Sequence, residues 1–142
     1  MKKIKIKLLR GINTVSPQRN SDWIDIRAVE ETKLCAGEYK AIPLGVAIEL
    51  PRGYEAIVAP RSSTFKHHGV LMANSIGVID ESYKGDNDEW HFPAIAMRNT
   101  VIHEGERICQ FRIIKHQPKY RLEWVKRLKG RNRGGLGSTG RT

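Results

Sequence analysis

Apolar and polar residues alternate with a period of two along most of this chain, and no segment sustains a 3.6-residue apolar period. Ile4, Ile6 and Leu8 alternate with lysines, the signature of a half-exposed strand. Arg10 to Asn20 is polar, is broken by Gly11 and Pro17, and reads as a loop. In SDWIDIRA a strand would place Trp23 and Asp25 on one face and Ile24 and Ile26 on the other. Pro43 to Leu50 and Tyr54 to Ala59 read as a hairpin across the turn formers Pro51, Arg52 and Gly53. Pro60 ends that second strand, and a short helix is expected next, capped by Ser62 or Ser63 and closed by Gly69.

Val78 and Ile79 form a short β-branched run that meets Asp80 where it ends, followed by the turn formers Gly85 and Asp86. Beyond it, Trp90, Phe92, Ala94 and Ala96 share one strand face and His91, Ile95 and Met97 the other. VIHEGERICQFRII resumes the alternation, with a turn at Gly105 and with Ile108, Gln110 and Arg112 expected on one face. Many short strands at short intervals with turn signals between them predict an all-β sandwich or barrel with one short helix.

A chain of 142 residues is one domain by length and can bury a core. The expected division is a β domain over 1–129 and a flexible arm over 130–142, where five glycines prevent regular packing. The net charge of +10 is unevenly placed, because Arg112 to Thr142 holds ten Lys or Arg against Glu123 alone. No recognition-helix pattern accompanies that charge, so nucleic acid is not the expected partner, and an arm closing on a small polyphosphate explains it as well. Cys35 and Cys109 lack metal-ligand spacing and disulfide density, and the N-terminus lacks a signal-peptide apolar run. The protein is expected to be soluble, cytoplasmic and free of membrane contact.

Four places can carry chemistry. Asp80 stands on a loop at the mouth of a sheet, where it is either a turn former or a catalytic carboxylate. Arg61, Ser62 and Ser63 open a helix whose free N–H groups could receive an anion. Gln110 is an amide on a strand expected to be central, needing either a backbone partner or a ligand. His67 and His68 point to different helix faces and do not suit one metal ion. Asp25 is a lone acid on a short strand, an exposed charge or a site residue.

These pieces resemble the trimeric all-β dUTPase family (dUTP diphosphatase) over nearly the whole length. WIDIRA at 23–28, PRSSTFKHHGV at 60–70, NSIGVIDESYKGD at 74–86, GERICQF at 105–111 and RGGLGSTG at 133–140 are similar to the family's five motifs, in order. The third motif and the aromatic segment after it resemble members from Bacillus and its phages.

The resemblance implies a distorted jelly-roll or β-clip homotrimer. It also implies Mg²⁺-assisted attack of water on the α-phosphorus of dUTP, giving dUMP and pyrophosphate, with sites shared between subunits. It casts Asp80 as general base and Tyr83 as the ring beneath the deoxyribose, with Asn74, Gly77 and Ile79 reading uracil and Met72 crowding its 5 position. Arg61, Ser62, Ser63 and Gln110 would hold the α and β phosphates, Arg133, Ser138 and Thr139 the γ-phosphate, and Asp25 a hydrated Mg²⁺ through water. The family's fifth-motif phenylalanine is replaced by Leu136, so the lid over uracil is expected from Trp90, His91 or Phe92, with His91 favoured. A dCTP deaminase of the same fold, and a regulatory member engaging a protein partner or nucleic acid, are the alternatives.

Overall fold

The computed structural model describes all residues from Met1 to Thr142. Its strands, in chain order, are β1 (Lys5–Leu8), β2 (Val15–Pro17), β3 (Ile24–Arg27), β4 (Thr32–Leu34), β5 (Tyr39–Pro43), β6 (Val46–Glu49) and β7 (Tyr54–Pro60). One helix, α1 (Thr64–His68), precedes β8 (Val70–Met72), β9 (Gly77–Ile79), β10 (His91–Ala96), β11 (Thr100–Ile102) and β12 (Arg107–Lys115). The strands form four sheets, β2-β3-β12-β7-β9, β5-β10-β8, β1-β6 and β11-β4. All pairings are antiparallel, as the period-two alternation requires. No helix is long and apolar enough to cross a membrane.

One core cluster joins the inner faces of the five-stranded and three-stranded sheets and also takes in Val46 and Ile48 of β6, Leu34 of β4 and Ile102 of β11. The inward residues of β10, Phe92, Ala94 and Ala96, are fully buried, and Trp90 just before them stands edge-on to Phe111 of β12 at 5.2 Å between centroids. Burial of each such large apolar side chain is worth about 2–3 kcal/mol. Phe92 and Trp90 are therefore core residues, and a lid built from either would have to abandon this packing. His91, pointing the opposite way, is exposed.

Four sequence expectations change in detail. Residues 43–59 are not a hairpin, because β6 pairs with β1 whereas β7 pairs with β12 and β9. The Pro51–Tyr54 turn closes as expected, with Tyr54 N–H donating to the Pro51 carbonyl at 3.2 Å, but it carries the chain from one sheet to another. Within the supposed loop 10–20, Val15–Pro17 adds an edge strand to β3, with Pro17 at its end where no ladder donor is needed. The helix uses neither serine side chain as a cap; Thr64 Oγ1 instead accepts from Arg61 N–H and donates to the Ile108 carbonyl, both at 2.8 Å. Gly69 does close α1, in the left-handed region at φ 63°, where a Cβ would also lie 2.6 Å from Arg98 Cγ.

The fourth change concerns β12. Its register against β3 slips between Arg107 and Cys109, so Ile108 and Cys109 are both buried and the alternation restarts. After this bulge Cys109 and Phe111 belong to the core, while Gln110 is opposite Asp25 and parts company with Ile108. Both cysteines are free, and burial pushes the Cys109 thiol far above its ordinary range, making it unreactive. Regular structure ends at Lys115, and every residue from there to Thr142 is exposed.

Candidate active site

The run Gly77–Ile79 forms the edge strand β9 against β7, with Gly77 paired to Val58 and Ile79 to Ala56. A Cβ on Gly77 would lie 3.2 Å from both Val58 Cβ and Met72 Cε, so glycine permits this close approach. Met72 thus packs beneath Gly77 and is not among the residues lining the pocket. Before β9 the chain turns tightly, with Ser75 in the left-handed region at φ 63° and Ile76 N–H donating to the Asn74 carbonyl at 2.7 Å. This uncommon backbone state for a non-glycine residue holds Asn74 at the pocket.

That pocket encloses about 560 Å³, the size of a small-ligand cleft. Asn74, Gly77, Ile79, Asp80 and Tyr83 line one side, and Ala41, Trp90, His91 and Pro93 the other. Tyr83 donates its hydroxyl to the Glu89 carbonyl at 2.9 Å, fixing the ring. Burial, then Asp88 and Glu89, raise its phenol above the ordinary value, so it stays neutral. His91 Nδ1 lies 3.0 Å from the same carbonyl, which can only accept, so Nδ1 is the donor in this contact. Glu89 anchors this loop through Gly45 N–H at 2.9 Å and Arg10 Nη2 at 3.3 Å.

Asp80 follows β9 directly. Ser82 donates its backbone N–H at 2.7 Å and its hydroxyl to Asp80 Oδ2. The Ser82 hydroxyl, then its N–H, and more weakly His116 hold the Asp80 carboxyl below the usual carboxylate range against a small opposing effect of burial. A carboxylate kept ionised beside an open cleft can accept a proton near neutral pH.

A second group lies apart from the pocket. Asp25, 5 % exposed, meets Arg61 Nε through Oδ1 at 3.2 Å and Arg107 Nη1 through Oδ2 at 3.3 Å. Arg61 Nη1 in turn lies 3.4 Å from Ser63 Oγ, Ser62 is exposed beside it, and Gln110 donates to the Pro60 carbonyl at 3.1 Å. The amide of Gln110 thereby finds a backbone partner. Asp25 is a buried, paired acid, and Arg107, unassigned by sequence reasoning, is its second partner.

No residue of this group lines the Asp80 pocket, and no hydrogen bond or ion pair joins the two. The arm residues Arg133, Ser138 and Thr139 are exposed and touch neither; Ser138 N–H donates only to Gly135, at 3.0 Å. One chain therefore brings together Asn74, Gly77, Ile79, Asp80, Tyr83 and His91, and separately Asp25, Arg61, Ser62, Ser63 and Gln110. Ser82, Tyr39 and Glu89 were missed from sequence. Ser82 alone carried a signal, as a hydroxyl two residues after an aspartate.

The family model described as dUTPase matches residues 13–140. The chain belongs to the dUTPase family. Among its relatives, the SPbeta prophage-derived deoxyuridine 5'-triphosphate nucleotidohydrolase YosS of Bacillus subtilis (strain 168) is 57% identical over 138 residues, covering 96% of this chain and 97% of that one. The dUTPase of Staphylococcus bacteriophage 80alpha, solved with dUPNHPP, shares the fold at a TM-score of 0.81 and 20% identity, covering 99% of each chain. A mutant dUTPase from phage phi11 of S. aureus matches at a TM-score of 0.76 and 17% identity over 90% of this chain and 99% of that one, and its structure details a structural Mg(II) ion.

In the present member of the dUTPase family no group of three His, Cys, Asp or Glu side chains could hold a metal ion. Asp25, the acid expected near Mg²⁺, gives both oxygens to guanidinium groups. The donor set does not fit an ion held by the protein itself.

Proposed function

We propose that this chain hydrolyses dUTP to dUMP and pyrophosphate, with Asp80 as the general base. The observation that carries this reading is an ionised carboxylate at the end of β9, on the rim of a 560 Å³ pocket shared with Asn74, Tyr83 and His91. Asn74 and the backbone at Gly77 and Ile79 present fixed donors and acceptors to the uracil edge, so cytosine, with reversed polarity, leaves buried groups unpaired. The Tyr83 ring, held by its hydroxyl, leaves no space for a 2′-hydroxyl.

Asp80 takes a proton from water as the water oxygen bonds to the α-phosphorus and the bond to the bridging oxygen breaks, with pyrophosphate leaving. Arg61, Ser62, Ser63 and Gln110 meet the charge of the α and β phosphates. Asp25, clamped by Arg61 and Arg107, orients Arg61 rather than a metal. Mg²⁺ would travel with the triphosphate, held by phosphate oxygens and its own waters.

Because one chain keeps the phosphate group apart from the Asp80 pocket, we assign the complete site to a homotrimer in which subunits share residues. Arg133, Ser138 and Thr139 of the arm close on the γ-phosphate. The arm over 130–142 is functionally distinct from the β domain over 1–129. Two free thiols agree with a reducing cytoplasm.

Hydrolysis in ¹⁸O-labelled water tests the site of attack. The label should appear in dUMP and not in pyrophosphate, and label in pyrophosphate would sink attack at the α-phosphorus.

His91 serves as the lid over uracil, since Trp90 and Phe92 are locked in the core while Leu136 cannot stack. His91→Ala should raise the dUTP KM by about tenfold, the scale of one base-stacking contact, and weaken nucleotide quenching of tryptophan fluorescence. Unchanged KM and quenching would remove His91 from this role.

A further inference from the structure

The two oxygens of the Asp80 carboxylate are not equivalent. Oδ2 receives both the N–H and the hydroxyl of Ser82, whereas no protein group donates to Oδ1. Ser82 also forms part of the base-pocket wall, so the contact is made at the site itself. Behind Asp80 a second cavity of about 510 Å³ opens, lined by Glu55, His116, Lys119 and Tyr120 among others. The carboxylate thus stands on a thin, exposed loop between two water-accessible spaces.

We propose that Ser82 is a positioning residue for hydrolysis, pinning Asp80 Oδ2 with two donors so that Oδ1 is the oxygen that removes the proton from the attacking water. The proposal rests on Asp80 being the general base. An aspartate on an open loop has two free side-chain torsions, and without a second contact its carboxylate would divide its time between rotamers. Misplacement of a reacting group by a fraction of its contact distance is costly in rate. Two donors converging on one oxygen fix the plane of the carboxylate and leave the other oxygen's lone pairs for water.

The same donors favour the ionised form, in keeping with the lowered Asp80 carboxyl. The surrounding charges give Asp80 no equivalent partner. On its own loop, Glu81 accepts from Gly53 N–H at 2.9 Å and pairs with His116 Nε2 at 3.5 Å, while Tyr83 is spent on Glu89. Glu55 of β7 and Lys119 at the root of the arm line the rear cavity, and Glu89 and His91 line the front one. None of these makes a hydrogen bond or ion pair with the carboxylate, and Ser82 is its only side-chain donor.

The test measures kcat and KM for dUTP against pH in wild type, Ser82→Ala, Ser82→Thr and Asp80→Asn, together with a ¹³C NMR titration of the Asp80 carboxyl. Ser82→Ala should lower kcat at neutral pH by about tenfold, one charge-assisted hydrogen bond, with KM unchanged. Its acid limb of kcat and its Asp80 titration should both move to higher pH, and Ser82→Thr should restore all three.

If Ser82→Ala matches wild type in kcat, pH profile and titration while Asp80→Asn is inactive, the positioning role is overturned and the base survives. If Asp80→Asn turns over dUTP like wild type, the base reading fails and the proposal with it. In that event the NMR titration still reports the contact independently of catalysis.

Discussion

Replacing Asp80 with asparagine should lower kcat for dUTP by about a hundredfold to ten-thousandfold, the span contributed by one positioned general base. The substitution keeps the shape of the side chain and its place after β9, so Asn74, Gly77 and Tyr83 still receive the nucleotide and KM changes little. A loss in kcat alone marks an interaction needed in the transition state rather than in binding. The pH dependence follows from the lowered carboxyl. The base works ionised, so wild-type kcat should persist as pH falls through the ordinary aspartate range and decline only through the depressed pKa. Steady-state rates across pH check this, and the limb should vanish in Asp80→Asn.

Deleting residues 130–142 is the second large effect, a fall in kcat of about a hundredfold, typical of lost alignment of reacting groups. In the isolated chain Arg133, Ser138 and Thr139 are exposed and bond to nothing in the β domain. On the proposed mechanism their contribution would arise only when a triphosphate draws the arm over a site, excluding water and fixing the γ-phosphate. The deletion should therefore leave dUMP affinity unchanged, since dUMP offers no γ-phosphate. Calorimetric titration with dUMP and with a non-hydrolysable dUTP analogue separates the two cases. Equal turnover by the truncated protein would remove the arm from the mechanism.

What could be read in the chain depended on how local the determining physics is. The alternation of Trp90, Phe92, Ala94 and Ala96 against His91 and Ile95 identified the core face of β10, because side-chain direction in a strand is set by the backbone alone. Asp80 at the end of Val78–Ile79 was legible for the same reason. Pairing is not local. Pro51 and Gly53 announce a turn equally well whether the flanking strands pair with each other or, as here, with β1 and β12. The face of Gln110 was misread because one extra residue, Ile108, resets the period, and nothing in ICQ marks a bulge. Asp25 was legible only as a lone acid on a short strand, because its partners Arg61 and Arg107 are distant in sequence. Ser82 escaped notice because a serine in a turn is ordinary until its hydroxyl is seen to end on the carboxylate.

Pyrophosphate release from dUTP, dCTP, dTTP and UTP, compared as kcat/KM under identical conditions, bears most directly on a uracil- and deoxyribose-reading site served by Asp80. The expected result is turnover of dUTP with dCTP, which leaves buried donors and acceptors unpaired, disfavoured by about ten-thousandfold, and with UTP rejected at Tyr83. Comparable turnover of dCTP or UTP, or ammonia released from dCTP in place of pyrophosphate from dUTP, would contradict it.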